Sequence, residues 1–209
     1  MIFTIKIKKE KAPKAVFESI KKSAKTELFD YEAYKTISEQ LLNNFSAPEG
    51  WIEVERYSIF GKFVVSSIHI LYREDENEFL YYVNEPRIED KKHLLQEVLS
   101  KLEFYETSPV KDRYLAIKNR VDAILSDFRI HLDGIEYFEF LYHVFKRTIL
   151  YGKITPIMFD PNVEDISCNG YRKPIYVFHK NYTNIPTNIY FERDELDSFV
   201  VNLAQKCGK

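Results

Sequence analysis

The chain has 209 residues, with 30 Lys and Arg against 32 Asp and Glu, and a formal net charge of −2. That balance argues against a nucleic-acid-binding role, while 45% hydrophobic and 15% aromatic residues describe a globular chain with a core of large rings. No apolar run approaches the roughly 20 residues of a membrane span, and the N-terminal run is too short for a secretion signal. The two cysteines, Cys168 and Cys207, read as small buried thiols of a reducing compartment.

Residues 13–45 read as helical, with Val16, Ile20 and Ala24 in one stripe, Tyr34, Ile37, Leu41 and Phe45 in a second, and Asp30 as N-cap. Lysines crowd this end, among them Lys8, Lys9 and Lys11, and suit either a solvated face or a surface for an acidic partner or an anionic membrane. The run "SAPEG" at 46–50 breaks the pattern. Three strands of an antiparallel meander follow, "WIEVERYSI", "FVVSSIHILY" and "EFLYYV", the last stopped at Pro86. Leu94, Leu95, Val98, Leu99 and Leu102 form a helical stripe within 89–102. Two more helices are expected over 113–132 and 136–150, with Asp133-Gly134 as C-cap and turn between them. Short strands "VEDISC", "PIYVF" and "TNIYF" come next, the first two joined through an Asn-Gly turn. A closing helix has Asp194 as N-cap and a core face of Leu196, Phe199, Val200 and Leu203.

Little in this pattern carries chemistry. Gly-Lys occurs at Gly61, Gly152 and Gly208, never with the preceding glycine or following hydroxyl of a phosphate loop. The five histidines show no metal-ligand spacing and no C-x-x-C exists. His69 lies in an apolar strand and reads as a hydrogen-bonded core residue. Cys168 and His179 are the one pair that a stand-alone hydrolase would use, without an evident oxyanion hole. Asp160, Glu164 and Asp165 read as a folded edge rather than an acid-base set.

From Tyr151 to Lys209 the chain resembles a known family. Gly152, Ile154, Pro156 and Met158, then Asp160, Pro161, Glu164, Asp165, Ile166, Cys168 and Gly170, then Pro174, Val177, His179 and Tyr182, and then Pro186, Thr187, Asn188 and Ile189 follow its pattern. It is the segment ahead of the motor core in archaeal type II/IV secretion-system ATPases, most similar to the archaellum motor ATPase, with adhesive-pilus ATPases close behind. "FLYYVNEPRIED" matches more loosely, and the resemblance is weak before residue 50.

The resemblance implies a hexameric parent that binds ATP and Mg in a C-terminal core, and a PAS-like module in this chain with no cofactor or catalytic residue of its own. Its implied partners are that core, neighbouring subunits and a membrane platform protein, at the cytoplasmic face of the membrane. Arg172 and Arg193 are candidates to approach the core's nucleotide. The expected fold is α+β: an N-terminal helical segment (1–48), a β-meander with a helix (49–105), then a helical pair and a PAS-like mixed sheet with a closing helix (106–209).

Overall fold

A computed structural model describes residues 3–6, 30–61, 63–103 and 113–206. Among them a single mixed sheet of seven strands carries six α-helices, an α+β fold as expected. The strands are β1 (Phe3–Lys6), β2 (Ile52–Gly61), β3 (Val64–Arg73), β4 (Glu78–Asn84), β5 (Val163–Cys168), β6 (Pro174–His179) and β7 (Thr183–Tyr190). Their spatial order is β1-β5-β6-β7-β4-β3-β2. Every neighbouring pair is antiparallel except β4 and β7, which run parallel inside the sheet and join its two antiparallel parts.

The helices are α1 (Tyr31–Asn43), α2 (Lys92–Glu103), α3 (Arg113–Asp127), α4 (Gly134–Thr148), α5 (Thr155–Phe159) and α6 (Arg193–Lys206), with 3-10 turns leading into α2 and α5. Asp30 caps α1 as its sequence suggested, its carboxylate accepting from the Ala33 amide at 3.1 Å. The remainder of the helix expected over 13–45 falls partly on residues 13–29, outside the described ones. At its other end α1 stops at Asn43, and Phe45 stacks on the His69 ring at 3.7 Å.

Strand β3 explains the depth of the core. Val64 to Leu71 are all buried, so both faces of this strand are covered, which its near-continuous apolar run demands. Helices α1, α4 and α5 pack against it. In α4 six consecutive residues, Phe140 to Phe145, are buried, as suits a helix enclosed on most sides. Phe63, at the tight β2–β3 turn, takes φ +63°, rare for an aromatic residue. Its ring is held at 4.4 Å from Tyr114, 4.9 Å from Phe145 and 6.4 Å from Tyr34, and that burial offsets the strain.

Four element ends differ from the sequence reading. Helix α3 ends at Asp127 rather than 132, because Arg129 turns left-handed at φ +56°. The Ile130 amide then reaches back to the Leu125 carbonyl at 2.9 Å, a Schellman closure. Asp133 is not a C-cap but the N-cap of α4, which begins at Gly134. Strand β7 begins at Thr183, well before "TNIYF". Asp194 lies inside the first turn of α6, where its charge suits the helix dipole, and not at the cap.

Candidate interaction site

The signature segment, the stretch of residues 152–189 that follows the family pattern, folds largely inward. Asp160 follows α5, whose first turn carries the buried Pro156. Asp160 is 3% exposed and its carboxylate accepts three hydrogen bonds: Tyr57 Oη and Tyr81 Oη donate to Oδ2 at 2.7 and 2.6 Å, and the Asn162 amide donates to Oδ1 at 2.7 Å. His179, fully buried, stands beside it. The Asn181 amide can only donate, so His179 Nδ1 accepts from it at 3.2 Å. Nε2 therefore carries the ring proton and donates to Tyr57 Oη at 3.1 Å, and the Tyr57 hydroxyl donates in turn to Asp160. Tyr182, next along the β6–β7 turn, donates to Glu55 Oε2 on β2 at 2.8 Å.

Burial sets the electrostatics of this cluster. It raises the Asp160 carboxyl above the ordinary range, against the three donors that favour its charged form. It lowers His179, against the attraction of Asp160 and Glu55. It also pushes Tyr57 and Tyr81 far up, with Asp160 adding to the effect, so both phenols remain donors.

Asn188 makes a second internal link. Its side-chain amide accepts from the Val83 N–H at 2.8 Å and donates to the Val83 carbonyl at 2.9 Å, mimicking a ladder residue between β7 and β4. Thr187 is buried and its hydroxyl accepts from the Ile189 amide at 3.1 Å. Pro186 faces Tyr176 across β6 and β7, where the register is irregular, which accommodates its missing N–H.

Cys168 is buried as a free thiol. In the β5–β6 register it lies opposite Ile175, whereas His179 lies opposite Val163. Five residues of strand, about 16 Å, separate the two side chains, so the Cys168–His179 pair of a hydrolase does not form. Pro161 and Glu164 are exposed, Asp165 is half-buried opposite Lys6 of β1, and Gly170 turns at φ +111°. Arg172 pairs with Glu192 at 2.9 Å and Arg193 lies over the Tyr171 ring at 5.6 Å. Lys8, Lys9 and Lys11 lie outside the described residues. No group of His, Cys, Asp and Glu able to hold a metal ion occurs among the described residues. Nor is any helix among them long and apolar enough to cross a membrane.

A groove of about 830 Å³ opens where β4 and β7 end. Gly152, at φ +55°, and Asn188 line it, beside the last turn of α4 and one face of α6. Its acids are compensated within the fold. Lys146 donates to both oxygens of Glu85 at 2.7 and 2.6 Å, and Tyr142 donates to the same carboxylate. Lys153 bonds Glu195 at 2.6 Å and lies over the Tyr190 and Phe191 rings, and Glu89 pairs with Lys92 at 2.6 Å. His143 donates to the Pro86 carbonyl at 2.8 Å, and burial lowers its pKa.

Tyr57, Tyr81, Glu55 and the Glu85–Lys146 pair were not singled out from sequence. The strand alternation places Tyr57 on one face of β2, but the carboxylate that its phenol meets, Asp160, is 103 residues away along the chain.

Residues 11–87 match the family model described as PilB3-like, N-terminal, which supports an N-terminal domain of the pilus and secretion ATPase kind. The resemblance in the sequence is strongest over residues 151–209, looser at 79–90 and weak before residue 50; the family model falls on 11–87 and reaches only into the looser stretch. Asp160, His179 and Tyr182 bond directly to Tyr57, Tyr81 and Glu55, which lie inside the matched region.

Three Methanocaldococcus jannaschii proteins are similar. The uncharacterized protein MJ1288 is 48% identical over 94 residues, covering 44% of this chain and 37% of its own length. The uncharacterized protein MJ0781 is 24% identical over 209 residues, covering 95% of this chain and 26% of its own length. The uncharacterized protein MJ0900 is 35% identical over 85 residues, covering 40% of this chain and 15% of its own length. The chain thus spans well under half the length of these relatives.

Proposed function

We propose that the chain is the N-terminal interaction module of a hexameric pilus- or secretion-type motor ATPase, and that it acts by contact rather than by chemistry of its own. The match of residues 11–87 to the PilB3-like N-terminal model carries this reading. The internal bonds from that region to Asp160, His179 and Tyr182 support treating the signature segment as part of the same module. The greater length of the relatives is consistent with a further, ATP- and Mg-binding core in the parent. In the finer reading the parent is the archaellum motor ATPase, with an adhesive-pilus ATPase as the alternative, and the module docks on its core, on neighbouring subunits and on a membrane platform protein at the cytoplasmic face.

Binding between this chain and the separately produced remainder of the longer protein, read by calorimetry, tests the reading. A measurable affinity is expected, and its absence in both ATP-bound and ATP-free forms of the core would contradict the proposal. The lysine-rich end supplies a second test. Long-range attraction is screened over about 8 Å at physiological ionic strength. Lys8→Glu, Lys9→Glu and Lys11→Glu together are therefore expected to weaken salt-sensitive capture of an acidic platform loop. Equal capture by wild type and variant would reduce those lysines to a solvated face.

A further inference from the structure

The groove at the carboxyl ends of the parallel strands β4 and β7 has the features of a docking site rather than of a packing defect. It is large enough to take several side chains at about 830 Å³, within the usual range of ligand clefts. Ile88, Leu150, Ile189, Phe199 and Leu203 give it apolar walls, and the last two, on α6, are only partly buried.

Its charges are unequal in their needs. Glu85, Glu89 and Glu195 each have a cation, and Lys146 and Lys153 each have a carboxylate. Arg147, in the last turn of α4, lines the same groove and is exposed, and its side chain makes no hydrogen bond or ion pair among the described residues. Among the described residues the groove therefore presents apolar surface together with one uncompensated guanidinium, a group suited to bidentate capture of a carboxylate.

We propose that this groove docks an acidic amphipathic segment of a partner protein, its apolar side chains seated between α6 and the strand ends and a carboxylate on Arg147. A helix laid into a groove buries side chains at intervals of three and four residues, and a single well-placed ion pair at the rim sets its register. A basic segment is disfavoured, because the groove's carboxylates are already engaged. The proposal stands whether or not the ATPase reading holds.

A displayed library of random peptides of about 15 residues, four helical turns, tests it with the full chain as bait. Enriched sequences are expected to combine apolar residues at helical spacing with at least one acid. Their synthetic forms are expected to bind Arg147→Glu at least about tenfold more weakly than wild type, with Arg147→Lys intermediate, and to bind Leu203→Gln more weakly as well. Arg147 is exposed, so its variants are expected to melt as the wild type does, and unchanged melting is checked in parallel. Absence of enrichment, enrichment without acids, or binding indifferent to both Arg147→Glu and Leu203→Gln would overturn the proposal. Self-association of the chain abolished by Leu203→Gln would seat a second copy in the groove and overturn it equally.

Discussion

The amide of Asn188 stands where a peptide group would, satisfying both the N–H and the C=O of Val83. Asn188→Leu fills similar space but orphans both groups, and is expected to cost about 2–4 kcal/mol in denaturant unfolding. Asn188→Asp keeps one bond and sets an oxygen against the Val83 carbonyl, so it is not expected to rescue. Equal stability of wild type and Asn188→Leu would show that water satisfies Val83 instead. Cys168, packed and far from His179, is expected to behave as a small apolar side chain. Cys168→Ala should cost about 1 kcal/mol in denaturant unfolding.

The buried histidines predict a pH dependence whose sign follows from burial. His69, His143 and His179 are all held below the ordinary imidazole pKa, with burial the largest cause in each. The unfolded chain therefore binds protons first as pH falls. Their contribution is complete above about pH 6.5 and is lost as pH drops through that value towards their lowered folded pKa values. Asp160 and Glu139 are shifted the other way by burial and add stability as they protonate in the acid range. Melting temperature is expected to fall between about pH 7 and 5, more gently in His179→Gln. A flat profile through that interval would contradict neutral, buried histidines.

At the scale of the element, the Schellman closure of α3 places a non-glycine residue at φ +56°. Arg129→Gly relieves that conformation and is expected to raise stability by about 0.5–1 kcal/mol, read from the denaturation midpoint. Lower stability would mean that the Arg129 side chain contributes more than its backbone costs. The same helix shows where sequence reading fails. Its apolar period runs on through Phe128 and past the true end, and nothing in "DFRIHLDG" marks Arg129 as the turning point, since arginine is not a usual left-handed residue. The meander was legible because its alternation and turn residues are local signals. The parallel β4–β7 pairing was not, because no local pattern specifies which strand joins two distant segments. The Tyr57–Asp160–His179 cluster was hidden for the same reason. Asp160 and His179 stood out by family pattern, but only the fold supplies the phenols that bury them.

At the scale of the molecule, the seven strands among the described residues form one sheet, with polar bonds crossing from the region matched by the PilB3-like model to the segment after α4. Such cross-links favour a single cooperative unfolding transition rather than two. Among the described residues they leave the groove beside α6 as the surface on which the proposed docking would act. The claim that the chain works by contact is tested most directly by titrating the isolated chain with Mg-ATP in a calorimeter. No saturable heat is expected, since no phosphate loop occurs in the 209 residues. A micromolar dissociation constant for ATP would contradict the account.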